Sequence, residues 1–515
     1  MDKYLYYVCI ALCVIRVFFV VIKSIHMFQL NSYAPSTHIK WIKINLKKYL
    51  SQILILLIIV IAFFAEKVAG IILLLLFIIM LVPRHTIKAK KPLVYTSRVK
   101  RLLVTECILL VLVIFLLINA TYSIGYMLIC LLYFISPVFV LLMNYINWPI
   151  EGGIRRYYIN DAKKILRACP NLIVIGVTGS YGKTSVKHYL ATVMKAKYNV
   201  LMTPESYNTT MGVVRTIREN LRSTHQVFIC EMGARRVSDI KKICDIVSPQ
   251  YGILTSIGPQ HLETFRTIEN VINTKFELAD AVGKNGMMFL NGDNEWIKEN
   301  LNKATRYTTY GLTMDNEFKA HDINYSKLGA TFDVSGPDVQ ISGISTSLIG
   351  RHNIQNIMGA ISVGSYFGIS GDELRTQVKK IGAVPHRLQV IERNGFIIID
   401  DAYNSNPNGC KMALETMSLF DGFKILITPG MVELGSKQYE LNNQFGVEAS
   451  KYCDYIILVG KKQTQPIYEG IMSAGYSDDN VFVAKDIGEA FQQAEKTKTE
   501  KQKIILIEND LPDNF

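Results

Sequence analysis

The chain has 515 residues, half of them hydrophobic, and a formal net charge of +13, which is room for three or four structural units. The charge is concentrated: residues 1–150 hold 15 Lys and Arg against 3 Asp and Glu, whereas the remainder holds 41 against 40. A basic excess confined to the most hydrophobic part points to a membrane and away from nucleic acid, and nine scattered cysteines without a CxxC pair fit a reduced compartment and exclude a structural zinc site.

Five apolar runs come first: Tyr4–Ile22, Tyr49–Ala65, Val68–Val82, Leu102–Ala120 and Gly125–Ile146. The second and third are short and divided by Glu66 and Lys67, as in a tight helical hairpin. No small-residue cleavage site follows the first, so it reads as a span and not as a cleaved signal peptide. Five Lys lie between Lys23 and Lys48 and seven Lys or Arg between Arg84 and Arg101, while the other connections are nearly uncharged. Positive loops stay inside, so the expected topology puts the N-terminus outside and everything after Ile146 in the cytoplasm. Residues 1–150 are thus expected to be a transmembrane helical domain of about five spans in a bacterial cell membrane. Residues 151–170, with Arg155, Arg156, Lys163, Lys164 and Arg167, read as a basic juxtamembrane linker that lies near headgroups or is an ordinary solvated helix.

From Asn171 the pattern alternates strands and helices, as in a mostly parallel sheet. The β-branched run at Ile173 breaks into Thr178, Gly179, Ser180, Tyr181, Gly182, Lys183, Thr184 and Ser185, and a helical pattern follows. That is a strand, a phosphate loop and a helix. Backbone N–H groups would cradle a polyphosphate, Lys183 would reach its outer phosphates, and the Thr184 hydroxyl would hold Mg²⁺. The strand-like runs Val227–Cys230, Ile253–Ile257 and Met287–Leu290 end in EMGA, GPQH and NGD, which should converge on the phosphate loop beyond the carboxyl ends of the strands. Short antiparallel strands are expected over residues 307–347. A second alternation begins near Val384, with apolar runs Phe396–Ile399, Ile425–Thr428, Tyr455–Val459, Val481–Val483 and Ile504–Ile507. The expected class is therefore α/β, with residues 171–382 forming the ATP-binding domain and 383–515 a Rossmann-like one. On position alone, Glu231 is a candidate Mg²⁺ ligand, His261 is either a metal ligand or a loop histidine, and Lys275 is a helix-surface lysine.

The ordered series TGSYGKTSVK, ICEMGA, IGPQHLETF, NTKFEL, GRHNIQN, PHRLQ, DDAYNSNP and TPGMVELG resembles the Mur ligases, and EMGA, HLETF, DAYNSNP and MVELG resemble their MurF branch, which joins D-alanyl-D-alanine to a UDP-muramoyl tripeptide. The resemblance implies a central ATPase domain and a Rossmann-like domain that closes over it. It implies that Thr178, Gly179, Ser180, Gly182, Lys183, Thr184 and Ser185 bind ATP phosphates, and that Thr184, Glu231, His261 and a carbamylated Lys275 complete the Mg²⁺ sites. Asn353 and Asn404 would serve the adenine and ribose side, Arg387 and Asp401 would act at ATP from the closing domain, and Asn208 and Thr209 would lie near substrate. The implied reaction activates a carboxylate as an acyl phosphate, which an amine attacks to give an amide, ADP and phosphate. The carboxylate acceptor could be UDP-linked, lipid-linked or a glycan, and the amine an amino acid or a dipeptide. A membrane domain replaces the N-terminal domain that grips the UDP-sugar in a soluble MurF. Four readings follow: a membrane-bound MurF-like amide ligase on a cell-envelope precursor, MurF itself, a poly-γ-glutamate-type synthetase, and a non-catalytic membrane scaffold.

Overall fold

The computed structural model describes residues 2–45, 55–81, 91–205, 207–393, 395–403 and 406–510. The chain divides into two units, one running to Arg156 and the other over Tyr157–Asp510.

The first unit is helical: α1 (Asp2–Leu30), α2 (Pro35–Ile44), α3 (Leu56–Phe64), α4 (Glu66–Leu81), α5 (Ser97–Asn119), α6 (Tyr122–Ile135) and the start of α7 (Phe139–Arg167). On α1 the buried residues Tyr6, Cys9, Cys13, Val17, Val21, Ile25 and Phe28 recur every three or four positions, which puts them on one stripe. Tyr6 closes the packing: its hydroxyl donates to the Leu117 carbonyl at 2.5 Å, and its ring lies where a Cβ on Gly125 would stand, with the hydroxyl 2.0 Å from that point. Any larger residue at 125 would push the tyrosine out. Along α5 the apolar Val104, Ile108, Val111, Leu112, Phe115, Leu116 and Ile118 are all more than half exposed.

Among the described residues three stretches are long and apolar enough to cross a membrane, Lys3–Leu30, Ser97–Asn119 and Tyr122–Arg167. Among the described residues of the expected hairpin, α3 has 9 residues and α4 has 16. Their joint is at Ala65, because Glu66 and Lys67 already belong to α4. Part of the Tyr49–Ala65 run and part of the second basic loop lie outside the described residues. Most of the linker expected over 151–170 is helical: α7 passes through Pro149, Gly152 and Gly153 without a break and ends at Arg167.

The second unit contains two sheets. The first has nine strands in the order β2-β3-β1-β4-β5-β6-β7-β8-β9: β1 (Ile173–Thr178), β2 (Val200–Met202), β3 (Val227–Glu231), β4 (Tyr251–Leu254), β5 (Met287–Asn291), β6 (Tyr307–Gly311), β7 (Phe318–Ser326), β8 (Gly329–Gly336) and β9 (Val339–Thr346). Pairing is parallel from β2 through β7 and antiparallel only across β7, β8 and β9. The expected antiparallel group thus begins one strand later, since β6 continues the parallel sheet. Ile175, Val177, Val227, Ile229, Ile253 and Phe289 face one core, while Val174, Phe228, Cys230, Leu254, Met288 and Leu290 face the other. Both faces are covered, which is why these strands read as unbroken apolar runs.

The second sheet follows the order β10-β11-β15-β12-β13-β14, formed by β10 (Gln389–Arg393), β11 (Phe396–Asp401), β12 (Phe423–Thr428), β13 (Tyr455–Val459), β14 (Val481–Ala484) and β15 (Lys503–Glu508). All of it is parallel except β10, a short antiparallel edge strand. β15, the last strand described, is inserted between β11 and β12 at the middle of the sheet.

Candidate active site

In the first sheet β1 has β3 on one side and β4 on the other, so the strand order reverses there and a crevice opens beyond the carboxyl ends. The loop in that crevice joins Thr178 to the helix α8 (Lys183–Met194). Gly179 and Gly182 have φ of +153° and +78°; an added Cβ would stand 2.1 Å from Thr255 Oγ1 and 2.7 Å from Asn356 Oδ1 respectively. Only glycine fits at either position. The segment after β4 is the rail for this loop: Ser180 N donates to the Ser256 carbonyl at 2.8 Å, Tyr181 N to Ser256 Oγ at 2.7 Å, and Gly258 N to Ser180 Oγ at 3.1 Å. Thr178 Oγ1 donates to the Met232 carbonyl at 2.9 Å, which ties the loop to the EMGA turn as well. Ser185 is buried in the first turn of α8. Lys183 folds back over the loop, with Nζ donating to the carbonyls of Gly179 at 2.7 Å and Ser180 at 2.9 Å. Burial pulls its ammonium down to about 8, the Glu231 charge opposes this and the Arg387 charge adds to it.

Glu231 ends β3 fully buried. Its Oε1 accepts from Thr184 Oγ1 at 3.1 Å and from Asn208 Nδ2 at 2.9 Å, and Oε2 faces Lys187 Nζ at 3.0 Å. Burial alone would raise this carboxyl; Lys187, the Asn208 amide and Lys183 together hold it below its ordinary value, ionised. Lys187, one helical turn after Lys183 and without exposed surface, also donates to the Glu205 carbonyl. Nothing in its local sequence distinguishes it from a surface lysine. Thr184 and Glu231 together offer hydroxyl and carboxylate oxygens 3.1 Å apart, which are the hard donors Mg²⁺ takes.

Lys275, on the helix α9 (Ile268–Val282), is 2% exposed and makes neither hydrogen bond nor ion pair among the described residues. Burial first, and the charge of Lys183 second, drive its ammonium well below its ordinary value. His261 lies below its usual value through burial, with Glu433 opposing and Lys275 adding to the shift. Its Nδ1 is 2.6 Å from Glu433 Oε2. Arg387 stacks over Tyr403 at 4.3 Å, and Asp401 Oδ1 accepts from Leu388 N at 3.2 Å. Burial lifts the Asp401 carboxyl to about 6 against the pull of Arg387. These mutual influences link Lys183 to Glu231, Arg387 and Lys275, and Lys275 to His261, within one polar cluster.

Several residues that the resemblance singles out have partners of their own in the fold. Asn353 is 3% exposed and fully used, its Oδ1 accepting from Tyr189 at 2.7 Å and its Nδ2 donating to the Ile349 carbonyl at 2.8 Å; Asn356, one turn on, is the residue that reaches the phosphate loop. Asn208 turns to Glu231, and Thr209 caps the helix Thr210–Asn220 by accepting from Gly212 N at 3.3 Å. Of the NGD turn, Asp293 faces the backbone of Leu312 and Thr313 at 2.7 and 3.0 Å and has a structural role. Asn404 lies outside the described residues. Lys187 and Glu433 are the site residues that sequence reading did not single out. For Glu433 the MVELG stretch is the only signal, and it names no partner.

Comparison with known proteins matches residues 177–364 to the Mur ligase middle domain and 386–508 to the Mur ligase, glutamate ligase domain. The UDP-N-acetylmuramoyl-tripeptide--D-alanyl-D-alanine ligase of Bacillus subtilis (strain 168) is 28% identical over 292 residues, 56% of this chain and 63% of the relative. The chain thus spans less than two thirds of that relative. Among solved structures, MurF from Acinetobacter baumannii superposes with a TM-score of 0.64 at 22% identity, covering 69% of this chain and 77% of that one. MurF ligase from Thermotoga maritima, solved in complex with ADP, gives 0.61 at 24%, covering 70% and 81%. At these identities the structures speak for the fold.

Proposed function

Because the chain belongs to the Mur ligase family, with a Mur ligase middle domain followed by a Mur ligase C-terminal domain, we propose that it is an ATP-dependent amide ligase held at a membrane by its N-terminal helices. Its reaction would transfer the γ-phosphoryl group of ATP to a carboxylate of a cell-envelope precursor. An amino acid or dipeptide amine then attacks the acyl carbon, phosphate leaves, and the amine gives up a proton. The observation that carries this reading is the phosphate loop with Thr184 against the buried, ionised Glu231 and Lys183 beside both. Lys183 and Arg387 are the cations able to meet charge on the transferring phosphoryl group. Mg²⁺, held by Thr184 and Glu231 and by His261 and a carbamylated Lys275, would neutralise phosphate charge. The burial of Lys275, which disfavours its ammonium, supports that modification, since a carbamate gives the metal an anionic oxygen where an ammonium would repel it.

The membrane part of the reading is supported by the three apolar helices, by the outward apolar face of α5, and by exposed Tyr145 and Trp148 on α7 near the basic loops. In this topology the ligase domains are cytoplasmic, where ATP is. A second reading, in which UDP-muramoyl tripeptide and D-alanyl-D-alanine are the substrates themselves, is favoured by the name of the Bacillus relative. Phosphate release by the full chain in detergent decides between them, with UDP-muramoyl tripeptide or its lipid-linked counterpart as acceptor and D-alanyl-D-alanine or single amino acids as amine. Release above background with neither acceptor would refute both readings as stated.

A further inference from the structure

Glu433 and His261 are 172 residues apart in the chain and 2.6 Å apart in space, Oε2 to Nδ1. Both have left-handed backbones, with φ of 63° and 52°, a conformation that side chains other than glycine and asparagine seldom adopt unless the surroundings impose it. The two turns meet at a second point: a Cβ on Gly435 would stand 3.4 Å from the backbone nitrogen of Glu263. Arg235, just past the β3 strand end, brings Nη1 to 3.8 Å from the other Glu433 oxygen. A carboxylate oxygen 2.6 Å from Nδ1 is the acceptor an Nδ1–H calls for, and that pairing leaves the Nε2 lone pair for a metal. A histidine whose second nitrogen is fixed in this way by a carboxylate has the arrangement of a metal ligand with its orienting partner.

We propose that Glu433 is a positioning residue for the divalent cation of the ATP site: by accepting the Nδ1–H of His261 it fixes the tautomer and aim of that ligand. The cation site is then complete only while the turn of the C-terminal domain is seated on the middle domain, which links metal affinity to domain closure. This rests on the reading of the cluster as the site of a metal- and ATP-dependent ligase.

The test uses the full chain in detergent with Mn²⁺ as probe, read as loss of the free Mn²⁺ paramagnetic resonance signal with β,γ-methylene-ATP present, and analogue binding in EDTA measured alongside. Glu433→Ala should weaken Mn²⁺ binding by about 10- to 100-fold and leave metal-free analogue binding unchanged. Glu433→Gln, whose amide oxygen can accept the same proton, should recover part of the loss. In a His261→Ala background the Glu433→Ala change should add nothing further. Should alanine disturb the fold, seen as loss of metal-free analogue binding, Glu433→Leu fills the same space without an acceptor and takes its place. Wild-type Mn²⁺ affinity in whichever variant keeps the analogue, or an equal loss with and without His261, overturns the proposal. A wild-type chain that binds neither analogue nor Mn²⁺ would instead overturn the ligase reading beneath it.

Discussion

Lys187→Met should destabilise the second unit by about 3 to 4 kcal/mol, toward the lower end of what breaking a buried ion pair costs. The side chains of Lys187 and Glu231 are 0% and 1% exposed, so the carboxylate that loses its partner cannot recruit water. It keeps the bonds from Asn208 and Thr184 and the charge of Lys183 nearby, which is why the upper end of the range is not expected. Methionine fills nearly the same volume, so the loss is electrostatic and not a cavity. Urea titration of the full chain in detergent, read by pulse proteolysis of the second unit, gives the difference. Adding Glu231→Gln should return more than half of it, because the buried charge is then gone. Glu231 is held below its ordinary value, so its contribution is present above the unfolded carboxylate pKa and is lost as pH falls through the folded one. The gap between wild type and Lys187→Met should therefore narrow on acidification. A change below about 0.5 kcal/mol at neutral pH, the level of a surface substitution, would refute the argument.

Lys183→Ala should abolish ATP turnover while the chain still folds, and near-normal phosphate release would remove the phosphate-loop assignment. Lys275→Ala should lose most activity and regain part of it with bicarbonate or a short carboxylate, which restores an anion to the vacated space, whereas Lys275→Arg should resist rescue; a fully active alanine variant counts against the carbamate. A reporter fused after Tyr158 should be cytoplasmic given the basic loops, and an outside signal would reverse the topology.

The phosphate loop, the strands of both sheets other than β2 and β10, and the position of Glu231 were legible because each is a local pattern: an apolar run, a glycine where φ must be positive, an acid at a strand end. Lys187 was not, since a lysine on a helix reads as solvated unless the chain that covers it is known. Here the cover includes Glu205, whose carbonyl accepts from Lys187 Nζ. The partners of Asn353 were hidden for the complementary reason. Its side chain is consumed by Tyr189, 164 positions away, and no local signal separates it from Asn356. The parallel pairing of β6 escaped because one short strand carries no record of its neighbour's direction.

The seat of β15 bears on how the protein comes off the ribosome. β11 and β12 do not pair with each other; each pairs with β15, whose residues are synthesised a hundred positions after β11. Until then the nascent domain holds two half-sheets with open inner edges, which are adhesive surfaces. The same late segment finishes the site's corner, for Asn509 donates to the carbonyls of Asp401 and Gly430 at 3.3 and 2.6 Å. A chain cut short before this strand would present sticky edges together with an unfinished corner of the site.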